Sequence, residues 1–82
     1  MYLAKIYITL KPLVNDPQGL TIRGALHNLG FTTVTSVRAG KYIEIQLDEN
    51  NHEQAQSKVT GMCEKLLANP VIENYHFELR KI

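Results

Sequence analysis

Across residues 41–47 the chain alternates without a break: Ile43, Ile45 and Leu47 fall on one side, Tyr42, Glu44 and Gln46 on the other. That period of two marks a strand with one buried face, which obliges the chain to build a sheet around it and a layer over its apolar side. Two further stretches share the period. Ala4, Ile6, Ile8 and Leu10 alternate with Lys5, Tyr7 and Thr9, and Tyr75, Phe77 and Leu79 alternate with His76, Glu78 and Arg80. A fourth strand is expected over residues 31–37, which are rich in β-branched side chains. Val34 and Val37 lie three apart and cannot share a face without a bulge, as suits an edge strand. Ala39-Gly40-Lys41 then reads as the reversal of a hairpin between that strand and residues 41–47.

Helical signals fill the gaps. Pro12 removes a ladder donor and ends the first strand. Asp16 is a good N-cap and Pro17 stands at the first helical position, where its missing N–H costs nothing. Ile22, Ala25, Leu26 and Leu29 then recur at i, i+3, i+4 and i+7, and Gly30 closes the helix at its C′ position. Gly19 and Gly24 each cost ~1 kcal/mol relative to Ala inside a helix, so close packing against the sheet is expected there. Asp48-Glu49-Asn50-Asn51 offers N-caps for a second helix with Ala55, Val59, Met62 and Leu66 on one stripe, running to about residue 68, where Asn69-Pro70 stops it.

The order βαββαβ predicts an α+β, ferredoxin-like sandwich: a four-stranded antiparallel sheet with both helices on one face and the first and third strands central. The other face then carries Lys5, Tyr7, Thr9, Tyr42, Glu44, Gln46, His76, Glu78 and Arg80, and that open face is where function can reside.

Composition narrows the classes. Eighty-two residues make one domain, residues 1–82, that buries roughly 60 to 65% of its extended-chain surface, a modest margin that a partner would improve. A hydrophobic fraction of 44% and a charged fraction of 21% are those of an ordinary globular protein. No apolar run approaches the ~20 residues of a membrane span, and Lys5 and Lys11 flank an alternating segment rather than a signal peptide, so a cytoplasmic protein is expected. One cysteine allows neither an internal disulfide nor a cysteine metal cluster, and a net charge of +1 argues against a nucleic-acid surface.

Catalytic candidates are thin. His27, His52 and His76 fall on the first helix, the start of the second and the last strand, with no metal-ligand spacing, so each is read as solvated or hydrogen-bonded. Cys63 on the second helix is read as a small buried thiol rather than a nucleophile. Gly19 and Gly24 are not part of a phosphate loop. Tyr7 and Tyr42 resemble the stacking platform of an RNA-recognition sheet, yet Glu44 and Glu78 beside them favour a protein interface. Arg38 and Lys41, flanking Gly40 at the expected hairpin tip, are read as cations offered to a partner. The candidate interface is thus Tyr7, Arg38, Lys41, Tyr42, Glu44, Glu78 and Arg80, with no catalytic, cofactor-binding or metal-binding residue expected. Self-association is expected through the open face ahead of an edge strand, with Tyr7 and Tyr42 at its centre.

Four segments carry a resemblance: Asp16-Pro17-Gln18-Gly19, Ala25-Leu26-His27-Asn28-Leu29-Gly30-Phe31, Val37-Arg38-Ala39-Gly40-Lys41-Tyr42-Ile43-Glu44, and Cys63-Glu64-Lys65-Leu66-Leu67-Ala68-Asn69-Pro70-Val71-Ile72-Glu73-Asn74-Tyr75. In this order and without insertions, the chain resembles the PurS family, small subunits of formylglycinamidine ribonucleotide synthase in de novo purine biosynthesis. The resemblance implies a non-catalytic subunit, homodimeric or a dimer of dimers. It would bridge a glutaminase subunit, which releases ammonia from glutamine, and a large synthetase subunit, which uses ATP and Mg²⁺. It implies no cofactor in this chain. Two other classes stay open on the residues alone: a ligand-binding regulatory module with a metabolite at a dimer interface, and a single-strand RNA binder stacking bases on Tyr7 and Tyr42.

Overall fold

A computed structural model describes residues 1–82. The strands are β1 (Tyr2–Leu10), β2 (Gly40–Leu47) and β3 (Glu73–Lys81), and the helices are α1 (Pro17–Asn28) and α2 (His52–Met62). One wider π-helical turn, Cys63–Leu67, extends α2 and ends with the Ala68 N–H donating to the Cys63 carbonyl at 3.0 Å. The sheet has three antiparallel strands in the order β2-β1-β3. The expected fourth strand does not form, so β1 alone is central and β2, expected inside, is an edge.

Residues 31–37 are held elsewhere. The Asp16 carboxylate caps α1 by accepting from the Gly19 N–H at 3.0 Å, and its second oxygen accepts from the Ala39 N–H at 2.7 Å. The Arg38 guanidinium donates to the Lys11 and Val14 carbonyls at 3.0 and 2.9 Å. Farther along, His27 Nε2 meets the Val34 carbonyl at 2.7 Å; a carbonyl only accepts, so Nε2 carries the proton. A Cβ on Gly19 would overlap the Val37 carbonyl oxygen, so this glycine admits the returning chain rather than the sheet. Residues 31–39 therefore run back along α1, and β propensity yields to these tertiary bonds. No hairpin reverses at Gly40 either. It opens β2 opposite Thr9, where a Cβ would come within 2.6 Å of the Ile8 carbonyl oxygen.

At its far end α1 closes as the sequence requires. Gly30 adopts φ +100, its N–H donates to the His27 carbonyl, and the Phe31 N–H reaches back to the Leu26 carbonyl, completing a Schellman motif.

The core lies between α2 and the sheet. Ala4, Ile6 and Ile8 of β1 pack with Ala55, Val59 and Cys63, and Tyr2, Leu47 and Ala68 complete it. Cys63 takes the core position expected for Leu66, which is 82% exposed. α1, expected beside α2 on the sheet, makes no extended contact with any strand or with α2. It forms with residues 31–39 an arm that stretches the molecule to 50 × 27 × 14 Å, with a radius of gyration of 16.3 Å. A compact chain of this length would have a radius of about 12 Å.

Candidate functional site: an aromatic sheet face

Alternation along the three strands sends every second side chain away from α2. Tyr7 on β1 stands opposite Tyr42 on β2 and His76 on β3. The Tyr7 and Tyr42 ring centroids lie 5.1 Å apart, and the His76 ring stacks on Tyr7 at 4.8 Å with an interplanar angle of 14°. The result is a row of three rings across the sheet, with Tyr42 at its rim 51% exposed.

Charge surrounds the row. Lys5 sits in register between Glu44 and Glu78, and Arg80 lies opposite Leu3. The Tyr42 hydroxyl donates to Glu44 at 2.8 Å, and this bond to a carboxylate pushes the phenol up to about 12. Tyr75 is likewise raised to about 12 by donating to Glu64, which ties β3 to the π-helical turn.

The structure brings Tyr7, Tyr42, Glu44, Glu78 and Arg80 together on this face. It does not bring Arg38 there, because that guanidinium is engaged with the two carbonyls at the base of the arm. Lys41 stands at the start of β2 and pairs with Glu73 of β3 at 3.5 Å. Asp16 is held below the usual carboxylate range, first by the Ala39 N–H and then by the Gly19 N–H.

The groups that could do chemistry are dispersed. His27 is bonded within the arm, His52 packs edge-on against Tyr2 at 5.8 Å, and Cys63 is buried, which pushes its thiol up. No three His, Cys, Asp or Glu side chains gather where they could hold a metal ion.

On the opposite side of the sheet lies a feature that sequence reasoning missed. An open groove of about 570 Å³ runs between α2 and β2, floored by Ile45, Met62 and Leu67, with Leu66, Lys58 and Lys65 along its rim. One helix, about 10 Å wide, cannot cover three strands spaced ~4.8 Å apart, and α2 leaves the β2 side bare. The pattern of α1 gave no warning, because its stripe has the same period whether it meets its own sheet or another surface.

A three-stranded antiparallel sheet, packed on one helix and presenting rings and charges of both signs on its free face, defines a small α+β module. The family model PurS, described as phosphoribosylformylglycinamidine (FGAM) synthase, matches residues 3–81. The chain belongs to the PurS family.

The PurS subunit of phosphoribosylformylglycinamidine synthase from Bacillus subtilis is 43% identical over 82 residues, 100% of this chain and 96% of the relative. That of Synechocystis is 46% identical over 95% of this chain and 78% of its own length. Among solved structures, Methanocaldococcus jannaschii PurS superposes with a TM-score of 0.89 at 46% identity, covering 100% of this chain and 99% of that one. It is described as one of the subunits of formylglycinamide ribonucleotide amidotransferase in the purine biosynthetic pathway. A chain of the PurLQS structure from Thermotoga maritima superposes at 0.82 with 32% identity, covering 100% and 99%. No helix of this chain is long and apolar enough to cross a membrane.

Proposed function

We propose that this chain is the small, non-catalytic subunit of phosphoribosylformylglycinamidine synthase in de novo purine biosynthesis. The observation that carries the reading is whole-chain likeness, which extends to a chain of a PurLQS structure and includes the arm as well as the sheet. In this reading the chain works in the cytoplasm, self-associates, and bridges a glutaminase subunit and a large synthetase subunit. Those subunits handle glutamine, ATP and Mg²⁺, and this chain positions them so that ammonia passes to formylglycinamide ribonucleotide.

The aromatic face is the docking surface for a larger subunit. Tyr7 and Tyr42 supply rigid, amphipathic contact area at low entropy cost, and Lys5, Glu44, Glu78 and Arg80 supply charges of both signs for register. Alternating acids and bases disfavour RNA, whose backbone selects a consistently basic surface.

Reconstitution tests this directly. Purified chain alone is expected to show no glutaminase or ATPase turnover, and glutamine-dependent ligation by the two larger subunits is expected to require it. Tyr7→Glu with Tyr42→Glu is expected to abolish that support without unfolding the chain. Full ligation in the chain's absence would overturn the role, and full support by the double variant would remove the aromatic face from it.

A further inference from the structure

Where residues 35–38 return along α1 they enclose a cavity of about 160 Å³ against the helix. Asn15, Asp16, Arg23, Thr35, Ser36 and Arg38 line it, so two guanidiniums are set against one carboxylate and the walls carry one positive charge in excess. That carboxylate is already committed. Its oxygens accept from the Gly19 and Ala39 amides. Arg38 uses Nη2 on the Lys11 and Val14 carbonyls, which leaves three of its five N–H groups for the cavity. Neither arginine has an ion-pair partner, because both salt bridges of the chain belong to lysines. Arg23 Nε is the one buried side-chain nitrogen or oxygen in the chain that meets no hydrogen-bond partner. A charged donor buried without an acceptor is costly, so its place in the fold calls for one.

We propose that this cavity binds the phosphate group of a small phosphorylated metabolite, held between Arg23 and Arg38 with the Thr35 and Ser36 hydroxyls as further donors. Such a site needs only the folded arm and not the function proposed above.

The chemistry of the walls selects the anion. A guanidinium fork matches either a carboxylate or a phosphate through two parallel bonds. A carboxylate offers two coplanar oxygens, which a single fork satisfies, whereas a phosphate offers oxygens on several sides. Here donors come from α1 on one side and from residues 35–38 on the other, and a tetrahedral group accepts from both at once. Size agrees. The cavity has the liquid volume of about five waters, room for a phosphate group, and the organic part of an ester lies outside it.

The walls are also set in advance. The Gly19 and Val37 contact and the His27 bond to the Val34 carbonyl fix the returning chain to α1, and two carbonyls hold the Arg38 guanidinium, so little freedom is lost on binding.

The test is a titration of the full, isotope-labelled chain, followed by nuclear magnetic resonance at the arginine Nε–H and backbone amide signals. Inorganic phosphate and ribose 5-phosphate are the probes, with acetate and chloride at matched ionic strength as controls. Saturable shifts are expected at Arg23 Nε–H and at the amides of residues 35–38 with both probes and with neither control. Arg23→Gln should weaken binding about tenfold or more. Arg23→Lys, which keeps the charge and loses the fork, should weaken it as well, and Ser36→Ala should do so to a smaller degree. Lys81→Gln, at the far end of β3, should leave binding unchanged. Saturation by ribose 5-phosphate alone would support the site and extend its recognition from the phosphate to the ester. Equal saturation by acetate would overturn the phosphate in favour of a carboxylate, such as an acidic side chain of a partner. Shifts that merely follow ionic strength, that survive intact in both Arg23 variants, or that fail to saturate at millimolar probe would end the site and leave the proposed function standing.

Discussion

At the scale of single residues, a few side chains decide the path of the chain. Asp16 uses both carboxylate oxygens, one accepting from the Gly19 N–H of its own helix and one from the Ala39 N–H, so it is cap and clasp together. Asn keeps one acceptor oxygen and cannot hold both. Asp16→Asn is therefore expected to retain α1 but expose the amide of residue 39, read as faster hydrogen exchange there. The pH dependence has a definite sign. The folded carboxylate loses its proton below the usual range, so its contribution is complete above ~3.9 and is lost as pH falls through the lower folded value. Protection at residue 39 should follow that acid limb, and protection unchanged by acid would count against the clasp. Tyr42 runs the other way. Its phenol is held protonated up to about 12 by Glu44, so the bond is intact below the ordinary tyrosine value of ~10 and is lost as pH rises through about 12. Glu44→Gln is expected to bring that ionisation down in an alkaline tyrosinate titration, while Tyr75, held by Glu64, stays near 12.

At the scale of elements, the sequence was readable wherever a signal was local. The period of two located all three strands, and Asp16, Pro17 and Gly30 marked both ends of α1. Residues 31–37 were misread because β-branched composition reports local preference, whereas their partners, His27 and Gly19, belong to α1. The same limit hid the groove, since a helix stripe reports that a face is apolar and not which surface meets it. The aromatic face was legible because cross-strand neighbours follow from alternation once register is set. The internal bonds of Arg38 were not, because they join residues 24 and 27 positions apart. Two substitutions separate α1 from the sheet energetically. Gly24 has nothing within 4 Å of where a Cβ would stand, so Gly24→Ala should stabilise by ~1 kcal/mol and raise the Tm by about 4–8 °C. Ile6, fully buried in the central strand, should cost about 2–5 kcal/mol when cut to Ala, seen in denaturant midpoints.

At the scale of the whole molecule, the shape limits how far one chain can stabilise itself. The buried cluster holds nine residues, all on the sheet and α2 side, and the arm contributes none. A core of this size in an 82-residue chain gives a thin margin, and the exposed side chains of α1 and the groove add apolar surface that only association removes. Association that stabilises the folded chain makes its melting temperature depend on concentration, because dilution releases the folded copies from one another. Scanning calorimetry of wild-type protein across about a hundredfold dilution is therefore expected to show a falling Tm. Gly24→Ala should shift the curve upward at every concentration, because nothing lies within 4 Å of where its Cβ would stand. A wild-type Tm that does not move with concentration would mean that the single chain carries its own stability, arm and groove uncovered.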